Sequence, residues 1–179
     1  MSEEAEFSRW VVADEIGDEM RTMNIEATPE ELIALTARFE LTGLERLEAS
    51  LQIKRAEKTG LIEIDGRFSA IGSQQCVVSL EPVAFELDET LSCFFADDGV
   101  EETDIELDLS DEDPPEIVEN NQIDLGELTV QQLAVALDPY PRAPGVDIPA
   151  SGLNFGEKDD KGDKVPENHP FAALRRLKR

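Results

Sequence analysis

Apolar residues recur along this chain at two different periods, and the change of period marks out its elements. Thr28-Pro29-Glu30-Glu31 places a capping hydroxyl before Pro at the first helical position and Glu at the third, the form of a capping box. Leu32, Leu35, Thr36 and Phe39 then follow at i, i+3, i+4 and i+7, which predicts a helix ending near Phe39, before Gly43. From Leu47 the period is two. Leu47, Ala49, Leu51 and Ile53 alternate with Glu48, Ser50, Gln52 and Lys54, as a half-buried strand does. After a turn at Ala56–Gly60, Ile62, Ile64, Gly66, Phe68 and Ala70 alternate again, so the two runs predict an antiparallel hairpin. Cys76, Val78 and Leu80 read as a third strand of this group, with Pro82 suiting an edge, a bulge or a strand start. In the next run Val83, Phe85, Leu87, Leu91, Cys93 and Phe95 all fall on odd positions, and only Glu89 breaks the apolar face.

Shorter signals surround these runs. Phe7 to Ile16 suggests a strand around Trp10–Val12, with Trp10, the single tryptophan, as a core or edge anchor. Asp124-Leu125-Gly126-Glu127 repeats the capping form, and Val130, Leu133, Ala134 and Leu137 trace a face of a second helix that Pro139 and Pro141 stop. Asp97 to Glu119 reads as an acidic loop. Ile105, Leu107 and Leu109 could add a strand within it before Asp111-Glu112-Asp113-Pro114-Pro115 breaks any regular element. Asp138 to Pro149 reads as extended and proline-rich. The expected fold is α+β: an antiparallel sheet, with a barrel-like form as an option, two main helices and an acidic loop. Residues 1–152 would form one domain, and 153–179 a flexible linker with a short basic amphipathic tail.

Charge changes the picture more than composition does. Sixteen Lys and Arg against 41 Asp and Glu leave a net charge of −25. The balance is also uneven: residues 68–141 contain no Lys or Arg and 19 Asp or Glu. A surface built from that stretch repels nucleic-acid phosphates and attracts basic polypeptides. Asp97, Asp98, Glu101, Glu102, Asp111, Glu112 and Asp113 are therefore the candidate contacts for a basic partner. Phe171, Leu174 and Leu177, with Arg175, Arg176, Lys178 and Arg179, form the candidate tail contact, to RNA or to an apolar surface. The acidic start, MSEEAEFSRW, has no apolar core of a signal peptide, and no apolar run approaches a membrane span. With two cysteines and one histidine, a cytoplasmic protein is expected.

Catalytic and metal chemistry find little support in the pattern. His169 stands beside a proline in the expected tail, without a scaffold for a Ser-His-Asp or Cys-His pair. Cys76 and Cys93 lie 17 positions apart with no CxxC spacing, and Asp97, Asp98, Glu101 and Glu102 lack the glycine and spacing of an EF-hand. No cofactor is expected.

Five blocks in order carry a family resemblance: Gln75-Cys76-Val77-Val78-Ser79-Leu80-Glu81-Pro82-Val83, Pro114-Pro115-Glu116, Ile123-Asp124-Leu125-Gly126-Glu127-Leu128, Leu137-Asp138-Pro139-Tyr140-Pro141-Arg142 and Pro170-Phe171-Ala172-Ala173-Leu174. Together, over roughly Phe7 to the C-terminus, they resemble the YceD family in its alphaproteobacterial form. The resemblance implies a role in accumulation of large-subunit ribosomal RNA, near genes for a small basic large-subunit ribosomal protein, and no catalytic residue. Many relatives carry a CxRC pair where this chain has Cys76-Val77-Val78-Ser79. A serine hydroxyl is a poor zinc ligand, so the resemblance carries no metal or redox role of that pair to this chain. The resulting expectation is a non-enzymatic factor of ribosome biogenesis that binds a basic ribosomal or assembly protein through its acidic surface, with indirect or tail-mediated association with ribosomal RNA. The alternatives are an RNA-binding assembly factor acting through the tail and a metal-dependent hydrolase of RNA.

Overall fold

A computed structural model describes residues 5–97 and 115–146 of the chain. Both stretches belong to the first of two units, Met1–Val146 and Asp147–Arg179. The three long alternating runs form the strands β3 (Gly43–Arg55), β4 (Ile62–Gln75) and β5 (Pro82–Ala96). They pair antiparallel, with Leu51 opposite Gly66 and Gly66 opposite Leu91. Because side chains alternate between faces, this register collects Leu47, Ala49, Leu51, Ile53, Ile62, Ile64, Phe68, Ala70, Leu91 and Phe95 on one buried side. The helices α1 (Pro29–Arg38) and α2 (Leu125–Ala136) add Leu35, Leu125, Leu128 and Leu133 to the same core.

Three strands were not anticipated. The strand β2 (Arg21–Glu26) pairs with β3 at one edge of the sheet, and β6 (Glu116–Ile117) runs parallel to β5 at the other. The third, β7 (Gln122–Asp124), forms a separate ribbon with the expected strand β1 (Trp10–Val12), with Trp10 opposite Asp124. The order β2-β3-β4-β5-β6 leaves the main sheet open. The barrel option is thereby corrected: closure needs the outermost strands to pair, and β6, two residues long and parallel, ends the ladder on its side.

Local signals account for the helices. Thr28 Oγ1 accepts from the Glu31 N–H while Glu31 returns a bond to the Thr28 N–H, so the capping box is complete. At α2, Asp124 Oδ1 accepts from the N–H groups of Gly126 and Glu127. Glu127 does not return the bond; its carboxylate takes Arg38 of α1 instead, at 2.7 and 2.9 Å. The predicted face of α2 needs one correction as well. Ala134 is exposed, and the buried positions are Leu125, Gly126, Leu128, Thr129, Val130 and Leu133. In the first turn Leu125, Gly126 and Leu128 face inward, while Glu127 stays half-exposed toward Arg38.

The run Cys76, Val78 and Leu80 is not a strand. The β4–β5 ladder closes at Gln75 opposite Pro82, which makes Cys76–Glu81 the hairpin connection and Pro82 a strand start. Leu80 sits at φ 63° with its N–H bonded to the Cys76 carbonyl, a turn conformation that breaks extended alternation. Trp10 is likewise not a core residue: 58% of it is exposed, on an edge of the two-stranded ribbon.

Candidate functional site

Of the acidic candidates, Asp97 is the one that falls among the described residues. Asp98, Glu101, Glu102, Asp111, Glu112 and Asp113, and the strand considered at Ile105–Leu109, lie outside them. So do His169 and the tail residues Phe171, Leu174, Arg175, Arg176, Leu177, Lys178 and Arg179. Asp97 sits where β5 ends and is held there by Arg55, whose guanidinium reaches its two oxygens at 2.7 and 3.3 Å. Arg55 also donates to the carbonyls of Ala13, Ile16 and Gly60. One planar fork thus ties the end of β3 to the turn after β1 and fixes the residue from which the acidic segment departs.

The outer face of the sheet is polar and electrically uneven. On it Lys54 pairs with Glu63, Arg46 with Glu48 and Arg67 with Asp88. A concavity of about 600 Å³ opens there around Asn24, Ser50, Arg67 and Ser69. Every cation in these pairs comes from β3 or β4. The elements β5, β6, β7 and α2 all come from the stretch without Lys or Arg, and their ion pairs reach cations outside it: Asp88 to Arg67, Asp97 to Arg55 and Glu127 to Arg38. Glu86, Glu89, Glu116 and Glu119 are exposed and make no ion pair among the described residues. Among the described residues the consecutive elements from β5 to α2 thus supply carboxylates and no cation of their own.

The structure also joins two sequence blocks that reasoning along the chain kept apart. The segment after α2 packs on the β4–β5 connection: the Val77 N–H donates to the Pro141 carbonyl at 2.9 Å, and Gln74 Nε2 donates to the Asp138 carbonyl. Cys76 lies under this joint with no exposed surface. The Ser79 hydroxyl, then the Ser79 and Ala143 N–H groups, turn toward its sulfur and hold the thiol pKa down at about 6. Ser79 thus acts as a donor to Cys76. Cys93 has the opposite environment: burial against Ile64, then the nearby Glu116 and Asp65 carboxylates, push it up to about 12. Among the described residues no three His, Cys, Asp or Glu side chains converge as a metal site.

These two thiols should titrate as separate steps in the folded protein, followed by thiolate absorbance, with Cys76→Ser removing the lower one. The sign for stability follows from the same shift. A folded pKa below the ordinary thiol value favours the folded state fully above that value, and the gain is lost as pH falls through about 6. Cys76→Ser should therefore flatten the rise in melting temperature between mildly acidic and mildly alkaline pH. A wild-type profile unchanged by the substitution would contradict the donor arrangement around the sulfur.

An open, mostly antiparallel sheet with two helices on its apolar side defines an α+β protein. The chain belongs to the YceD family, described as "Large ribosomal RNA subunit accumulation protein YceD", which matches residues 64–178. That span starts within β4 and includes β5, β6, β7, α2 and the joint at Cys76. The family description places the chain among factors of large-subunit ribosomal RNA accumulation. No curated protein and no solved structure gives a significant match. No helix among the described residues is long and apolar enough to cross a membrane.

Proposed function

We propose that this chain is a non-enzymatic cytoplasmic factor that supports accumulation of large-subunit ribosomal RNA by holding a basic ribosomal or assembly protein on its acidic surface. The observation that carries this reading is the continuous run of elements from β5 to α2 that supplies carboxylates and no cation of its own. Such a field draws a basic polypeptide in quickly and holds phosphates off. The bound protein would be shielded from unproductive RNA contacts until it is handed over. In this reading Asp98, Glu101, Glu102, Asp111, Glu112 and Asp113 extend the field and Asp97 anchors its start.

The test compares two variants in affinity purification from growing cells, with and without RNase. Neutralising Asp111, Glu112 and Asp113 together should leave the melting curve in place, because exposed charges contribute little to stability. It should slow association with the captured basic protein, and what binding remains should weaken steeply with salt. Deleting 171–179 should keep protein binding and remove any RNA affinity. If the triple variant captures every partner at the wild-type rate while the deletion abolishes ribosomal association, tail-mediated RNA binding is the function and the acidic-holder reading is wrong.

A further inference from the structure

Between the β1–β7 ribbon, β6 and the first turns of α2 lies a groove of about 300 Å³. Its walls are unusual for a surface depression. Trp10 stands on one side, 58% exposed, and Ile117 on another, 48% exposed. Glu116, Glu119 and Glu127 surround them, and among the described residues no Lys or Arg lines the groove. Asp124, directly opposite Trp10 in the ribbon, also lines it. Its Oδ1 is saturated by the N–H groups of Arg9, Gly126 and Glu127. Its Oδ2 is buried and has no hydrogen-bond partner among the described residues. A buried carboxylate oxygen left without a donor is costly and rare in a folded protein.

The charge decides what such a groove can accept. An anion would ordinarily favour the start of α2, but Asp124 already occupies those N–H groups, and the surrounding carboxylates repel a phosphate. A purely apolar side chain would cover Trp10 and Ile117 yet leave the carboxylates desolvated and unpaired. A cation on an apolar stem meets both demands. An aromatic face attracts it, the stem packs on apolar surface, and its N–H groups bond carboxylates. Arginine suits this best, since its planar guanidinium can stack on an indole and fork to an oxygen at once.

We propose that this groove is an anchor for an arginine or lysine side chain of a basic polypeptide, with Trp10 as its stacking face, Ile117 as the contact for its stem, and Glu116 and Glu119 as its acidic rim. The proposal rests on the acidic-holder reading and gives it an address: one buried cation at a tryptophan-lined pocket, within a wider field that acts on approach. Tryptophan with arginine is a common core of interface hot spots, so this pocket would set residence time while the field sets the on-rate.

Trp10 is the single tryptophan, so its emission reports on the groove directly. The probes are a nine-residue arginine–glycine peptide, a glutamine–glycine peptide of equal length, and a single-stranded RNA oligomer. The arginine peptide should shift and quench Trp10 emission saturably; the other two should not. The double variant Glu116→Gln with Glu119→Gln should weaken binding of a labelled arginine peptide about tenfold, and Trp10→Ala, read by anisotropy, by a similar factor. Glu86→Gln with Glu89→Gln removes the same charge from β5 and should change it less than about twofold if the groove is the anchor. Equal losses in both double variants would overturn the groove and leave the acidic holder standing. No binding of the arginine peptide to the wild-type protein would overturn both. Saturable quenching by the RNA oligomer in place of the arginine peptide would overturn the choice of ligand.

Discussion

Gly126→Ala should destabilise the protein by about 3 kcal/mol, at the high end for adding one carbon to a packed site. Gly126 is the second residue of α2, where alanine would ordinarily be the better helix former by about 1 kcal/mol. The surroundings reverse that preference. A Cβ there would stand 2.8 Å from the carbonyl carbon of Phe7 and 3.1 Å from the Arg9 nitrogen, both backbone atoms that no rotamer change can remove. Relief requires the chain before β1 to lift away from α2. That movement would stretch the bond from the Arg9 N–H to Asp124 at 2.7 Å and the bond from the Leu125 N–H to the Arg9 carbonyl at 3.0 Å. It would also draw Phe7 out of the core, where it has no exposed surface. For a unit of this size the loss corresponds to a melting temperature lower by roughly 10 °C. Gly17→Ala is the control, because a Cβ at Gly17 meets nothing within 4 Å, and it should melt within about 0.5 kcal/mol of wild type. If Gly126→Ala melts with the control, the chain before β1 is not seated on α2.

That contact illustrates what the sequence could and could not disclose. Helix starts are written locally: Thr28 and Asp124 cap the residues that follow them, so both starts are legible from a few letters. The runs β3, β4 and β5 are 13, 14 and 15 residues long, enough alternation to fix which face is buried. The misses are short or non-local. In β2 only Ile25 is buried and Met23 half-buried, too few positions to define a period. The ribbon of β1 and β7 pairs Trp10 with Asp124, and no local pattern announces a partner so far along the chain. The connection at Cys76 was misread for the opposite reason: Val78 and Leu80 alternate with Cys76 as a strand would, while the pairing of Gln75 with Pro82 had already closed the hairpin.

The same division holds for function. The acidic bias was legible as a run without Lys or Arg, and the family as an ordered set of blocks. The groove was not, because it exists only once β1, β6, β7 and α2 come together. A weak signal was present in Trp10, a large aromatic beside Arg9 in a strand of three residues. So short an edge element has little core to offer an indole, which favours exposure over burial.

Leu133→Ala is expected to cost about 3 kcal/mol, within the range for truncating a leucine in a core that relaxes only partly. Leu133 has no exposed surface, and with Leu125, Leu128 and Val130 it joins α2 to the apolar side of the sheet. Two positions later Val135 is 82% exposed, so Val135→Ala should stay within about 0.5 kcal/mol of wild type. Urea unfolding of the pair separates two roles for this helix. A midpoint shift confined to Leu133→Ala means that α2 is a structural wall, and that its acidic first turn is held at fixed distance from Trp10 and Ile117. Equal midpoints for Leu133→Ala and wild type would mean that the apolar face of α2 is not spent on the core. The groove at its start would then lack the rigid backing that a tight, single-cation anchor requires.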